Sequence, residues 1–222
     1  MDLKLHNLSK VLIILYFVNL LFYSFSSMFG FEIPEKIFWF LRIPILIVLY
    51  FVSSQKKQLV YFMALLLYQC ASVFFTLSST DFFLLASICS LSFKICLCFL
   101  VFDLITQQTK IAVFIAIIPF FVLYLYVVDI VDSSLGNTYY IWILNTFFTS
   151  LIGGVAIINY VNNSDKKGYW LLISAILFVV QIGAFFINKF YVKSEAIYQI
   201  VILAYGISHF TFYKFLILKE EK

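Results

Sequence analysis

Charge is what this chain has least of. Only 12% of its 222 residues are Asp, Glu, Lys or Arg, against ~25% in an ordinary soluble domain. So few charges cannot cover the surface of a water-soluble protein of this length. The net charge of +4 is too thinly spread to make a nucleic-acid footprint, and no nucleic-acid partner is expected. Glycine and proline are also scarce, seven and three residues, and no two spans carry paired Gly/Pro interruptions of the kind that marks substrate sites in secondary transporters. The two histidines, His6 and His209, are far apart in the chain. The four cysteines, Cys70, Cys89, Cys96 and Cys98, all fall inside apolar runs, where a thiol behaves as a small hydrophobe. Cys96 and Cys98 point about 200° apart on a helix, so they cannot chelate together, and no metal or other cofactor is expected. No polar stretch is long enough for a linker, a low-complexity segment or a separate soluble domain.

What the chain has instead is apolar length. Hydrophobic residues make up 64% of it and the mean hydropathy is +1.05, which places it among integral membrane proteins. The apolar runs are continuous instead of alternating, and they exceed the ~9–11 residues of a barrel strand. Helices are therefore expected at about 11–30, 37–53, 59–78, 82–102, 111–128, 139–160, 170–187 and 197–218, each near the ~20 residues that cross hydrocarbon. The expected fold class is all-α: a polytopic protein of eight transmembrane helices forming one membrane-embedded domain over residues 1–222. Connections are short and punctuated, as at Pro34, Ser53-Ser54-Gln55, Ser133-Ser134-Leu135-Gly136 and Asn163-Ser164-Asp165. The first run is longer than a signal-peptide core and no small-residue cleavage site follows it, so a retained helix is expected.

Lysine distribution sets the expected orientation. With eight spans both termini share a side, and that side collects Lys4, Lys10, Lys56, Lys57, Lys110, Lys166, Lys167, Lys214, Lys219 and Lys222. The opposite side has Lys36, Lys189 and Lys193. Ten against three predicts cytoplasmic termini. The preference for Lys over Arg and the low glycine content suit an AT-rich bacterial genome, and hence a bacterial cytoplasmic membrane.

Function should lie with polar residues at membrane depth, where charge is costly and marks a site by default. The segment from Thr80 to Asp103 opens on Asp81 and carries Lys94 inside, with Thr80, Ser87, Ser90, Lys94 and Cys98 on one helical stripe. With outward and inward spans alternating, Arg42, Gln69, Asn145 and Gln181 fall at similar depth in the outer half and Asp81 at its rim, enough for a polar-lined cavity. Lys94 and His209 share a deeper level. Pro44, two residues after Arg42, loosens the second helix there. The structural alternatives are interhelical hydrogen bonding for Asn145 and Gln181, snorkelling for Arg42 and helix capping for Asp81. The abundant Phe and Tyr read as lipid-facing and interfacial bulk.

Several short stretches resemble the YhhN family of lysoplasmalogenases: Arg42-Ile43-Pro44, Val73-Phe74-Phe75-Thr76-Leu77 ahead of Asp81, Ser174-Ala175-Ile176-Leu177-Phe178, Ala184-Phe185-Phe186-Ile187-Asn188-Lys189-Phe190 and Ala204-Tyr205-Gly206-Ile207-Ser208-His209. The resemblance implies an eight-span enzyme that cleaves the vinyl ether bond of a lysophospholipid, releasing a fatty aldehyde. General acid and base work of that kind suits two carboxylates of different pKa. Asp81 matches the first family carboxylate and Arg42 the basic residue of the second span. Where the family has Ser-Asp in its seventh span, this chain has Gln181-Ile182, and a family histidine near the end of the fourth span is missing. The expected site is therefore catalytic Asp81, with Arg42, Asn145, Gln181, Lys94 and His209 binding a lysophospholipid drawn from the membrane. A non-catalytic lipid-binding protein on the same fold is the alternative, and a small transporter ranks behind it.

Overall fold

A computed structural model describes residues 3–77 and 79–221. Ser78, which closes the expected third span, and Lys222, one of the lysines behind the expected orientation, lie outside the described residues. Every regular element among those described is helical: α1 (Leu3–Met28), α2 (Glu32–Ser53), α3 (Leu59–Thr76), α4 (Thr80–Val101), α5 (Lys110–Ile130), the single turn α6 (Asp132–Leu135), α7 (Tyr139–Asn163), α8 (Lys166–Phe186) and α9 (Glu195–Glu220). Eight of these are long and apolar enough to cross a bilayer, and the chain is an integral multi-pass membrane protein.

The ends of the helices follow local chemistry. Gly30 takes φ +68°, the left-handed conformation that stops α1 and lets the Phe31 N–H reach back to the Ser26 carbonyl. Asp165 caps α8 by accepting from the Gly168 N–H at 2.6 Å. At α4 the cap is Ser79, whose hydroxyl accepts from the Asp81 N–H at 3.2 Å; Asp81 stands in the first turn, where the helix dipole favours a carboxylate. The segment around 132–137, expected as a loop, is α6 followed by the 3₁₀ turn Gly136–Thr138. Beyond Phe186, α8 widens into a π turn, Ile187–Tyr191.

Neighbouring helices pair as antiparallel hairpins, α1 with α2, α3 with α4, α5 with α7 and α8 with α9, and α7 joins α4 to α8. The last helix, α9, is the most enclosed and α5 the least. Small residues fix the close approaches. A Cβ on Gly206 would come within 2.6 Å of Leu20, and the Tyr16 hydroxyl donates to the Gly206 carbonyl at 2.8 Å, so α1 rides directly on the α9 backbone. Gly154 likewise brings α7 onto α5, with the Val113 carbonyl 3.0 Å from where a Cβ would stand.

Both ends of the bundle are tied. At the end holding the C-terminus, Lys219 pairs with Asp103 at 2.5 Å and Glu220 accepts from the Ser54 hydroxyl at 2.8 Å. At the other end, Ser27 donates to Glu195 at 3.0 Å and Tyr198 to Glu35 at 3.2 Å.

By contrast, α2 and α3 touch little along their length. Tyr50–Tyr61 and Phe51–Phe62 ring contacts join them near their connection. Farther along, the Gln69 amide reaches the Phe40 carbonyl at 3.5 Å. That carbonyl is available because Pro44, four residues on, has no N–H to give it.

Candidate binding site

Acidic residues explain the site by where they are not. Every Asp and Glu among the described residues lies in a connection, in the single turn α6, or in the first or last turn of a spanning helix. Arg42, the sole arginine, and Lys94 lie inside the bundle at 3% and 1% exposure. None of the ion pairs among the described residues includes either of them.

Arg42 is held by aromatic rings instead. Its guanidinium lies 5.8 Å from the Tyr23 ring of α1, 5.8 Å from Tyr68 of α3 and 5.4 Å from Tyr205 of α9, within the range of cation–π attraction. One terminal nitrogen donates to the Tyr68 hydroxyl at 3.3 Å, and Nε has no hydrogen-bond partner. Lys94 lies over the Phe178 ring, its ammonium 3.6 Å from the centroid, and Nζ is buried without a hydrogen-bond partner.

Both cations line one cavity of about 200 Å³, together with Gln181, Ser90, Ser72 and Trp142. The cavity lies in the half of the bundle opposite the chain termini, walled by α1, α2, α3, α4, α7, α8 and α9. Among the described residues, no carboxylate lines it. Glu35 approaches from outside through Tyr198, whose hydroxyl in turn pairs with Tyr23 at 3.0 Å.

The expected site residues divide into three groups. Arg42, Lys94 and Gln181 meet in the cavity. Asn145 and His209 stand one residue behind it. Asn145 donates to the Ser90 hydroxyl at 3.1 Å and accepts from Thr149 at 3.3 Å. His209 lies among Tyr68, Phe93 and Phe178, with Nδ1 on the Tyr205 carbonyl at 2.8 Å and Nε2 without a hydrogen-bond partner. Asp81 stands apart. It is exposed and faces a wider vestibule of about 690 Å³ with Ser133, Ser134 and Lys189, a space that shares only Phe75 and Thr76 with the Arg42 cavity. Gln69 turns toward the α2–α3 seam and away from the cavity.

Sequence reasoning missed the tyrosines. As sequence, Tyr23, Tyr68 and Tyr205 read like the other membrane aromatics, yet they enclose Arg42. A signal was present: an arginine at depth in a chain with no interior acid must find its partners among π faces or a ligand. Compared with protein-family models, curated proteins and solved structures, the chain matches none.

Proposed function

We propose that this membrane protein binds a single-chain lipid, with the polar head in the Arg42 cavity and the hydrocarbon tail directed through the α2–α3 seam. The observation that carries the reading is a pocket inside an apolar bundle that brings Arg42, Lys94 and Gln181 together on a largely aromatic and alkyl wall. Such polarity is tolerated at depth where protein or a ligand, and not lipid tails, surrounds it. The seam supports the route for the tail, since α2 and α3 both wall the cavity yet approach each other less than the other hairpin pairs do, bridged at that level by the Arg42–Tyr68 and Gln69–Phe40 hydrogen bonds.

Binding without hydrolysis is favoured over lysoplasmalogenase chemistry. A vinyl ether needs a proton donor at the enol carbon, and the cavity wall offers no carboxyl group. Ile182, where the resembled family carries its second carboxylate, lines the cavity as an alkyl side chain, and Asp81 opens on a different space. By the lysine bias, the end bearing Lys10, Lys56, Lys57 and the C-terminus faces the cytoplasm, which puts the cavity in the outer half of what we take to be a bacterial cytoplasmic membrane.

The test is one titration with two readouts. Purified protein in detergent is mixed with an alkenyl lysophospholipid while binding is followed by the fluorescence of Trp39 and Trp142, both on the cavity wall, and aldehyde is assayed in the same samples. Saturable binding that Arg42→Gln weakens, with no aldehyde released, is the expected result. Aldehyde release abolished by Asp81→Asn would overturn the non-catalytic reading in favour of the hydrolase, and absence of binding would overturn both.

A further inference from the structure

The hydrogen-bonding polarity of the cavity goes further than its shape. We infer that it is a site for a phosphomonoester dianion, so that the lipid it takes is one ending in a terminal phosphate; this rests on the lipid-binding reading above. Four polar side chains with donor groups line the space: Arg42, Lys94, Ser90 and Gln181. Arg42 and Lys94 are donors only, and Arg42 Nε and Lys94 Nζ are both buried and unpartnered. Ser90 already accepts the Asn145 amide at 3.1 Å, which leaves its O–H to give. The Gln181 carbonyl already accepts from the Ser208 hydroxyl at 3.0 Å, so its donor end is the amide, one N–H of which is shared with the Tyr205 hydroxyl on the cavity wall. A site with two basic side chains, further donors and no carboxylate among the described residues complements an acceptor-only anion, whose charge would hold both side chains protonated.

Charge selects among anions and against zwitterions. A phosphomonoester carries about −1.5 to −2 at neutral pH with three acceptor oxygens, matching the two cations, whereas a carboxylate or phosphodiester brings one negative charge. The aromatic faces that would hold a quaternary ammonium are engaged by the protein's own cations: Arg42 lies against Tyr23, Tyr68 and Tyr205, and Lys94 over Phe178. A choline head would meet like charge on those faces.

The experiment compares three probes on the same protein: lysophosphatidate, lysophosphatidylcholine of the same acyl chain, and inorganic phosphate. Lysophosphatidate should bind more tightly than the choline lipid by at least about tenfold, with inorganic phosphate competing only weakly. The Lys94→Gln variant should bring the two lipids to within about twofold of each other. A thermal melt of Lys94→Gln confirms that it is folded, and Lys94→Arg, which keeps the charge, should retain most of the preference. Equal affinity for both lipids, or preference for choline, would overturn the phosphomonoester site while leaving lipid binding intact. Inorganic phosphate binding as tightly as lysophosphatidate would make free phosphate the occupant and overturn the lipid form of the inference. No binding of any probe would overturn both readings.

Discussion

Lys94→Met should make the empty protein more stable, because Lys94 is held inside the bundle at 1% exposure with no hydrogen bond and no anion. A lysine at the centre of a spanning helix costs roughly 2.5–3.5 kcal/mol on insertion scales. Its ammonium, 3.6 Å from the Phe178 centroid, recovers about 0.5–2 kcal/mol by cation–π attraction. Methionine nearly matches the stem in length and packs as a flexible apolar chain, so about 0.5–3 kcal/mol should be gained. That corresponds to a rise in Tm of roughly 1–12 °C for a chain of this size. The assay is thermal or denaturant unfolding in detergent, with and without lysophosphatidate. Without ligand the variant should be the more stable. With saturating ligand the order should reverse or close, since a bound anion stabilises the wild type by mass action and the variant has lost half the charge that holds it. A variant less stable than wild type in the absence of lipid would refute the reasoning, because it would mean that Lys94 is already satisfied in the empty bundle.

Two further outcomes follow from packing. Gly206→Ala should destabilise the fold by about 1–3 kcal/mol, since the new Cβ would stand 2.6 Å from Leu20; the double variant with Leu20→Ala should lose less than the sum of the two single changes, as unfolding in detergent would measure. Gln69→Leu removes the hydrogen bond to the Phe40 carbonyl across the α2–α3 seam without touching the cavity. It should speed lipid release in stopped-flow fluorescence while leaving head-group preference unchanged, and an unaltered release rate would refute the seam as the route for the tail.

The sequence by itself determined that this is a helical membrane protein and how many times it crosses. Both follow from the run lengths of apolar residues, because a bilayer leaves backbone polar groups no partner except their own helix. It also singled out Arg42, Lys94 and Gln181, since a polar group at depth is conspicuous in an apolar string, and those three do share a cavity. What it could not determine is which way each helix turns. Asp81 and Arg42 were paired by a family likeness and by depth, yet Asp81 lies on the rim in another space, because depth along a helix says nothing about azimuth around it. Gln69 and Asn145 were equally conspicuous and serve instead a proline-freed carbonyl and a serine hydroxyl. The tyrosines around Arg42 could not be told from the other aromatic residues in the sequence, because Tyr on a spanning helix is equally at home against lipid, water or a cation. Only the packing of α1, α3 and α9 around α2 decided that these three would enclose the single arginine. The same packing decided that none of the acids among the described residues would reach it.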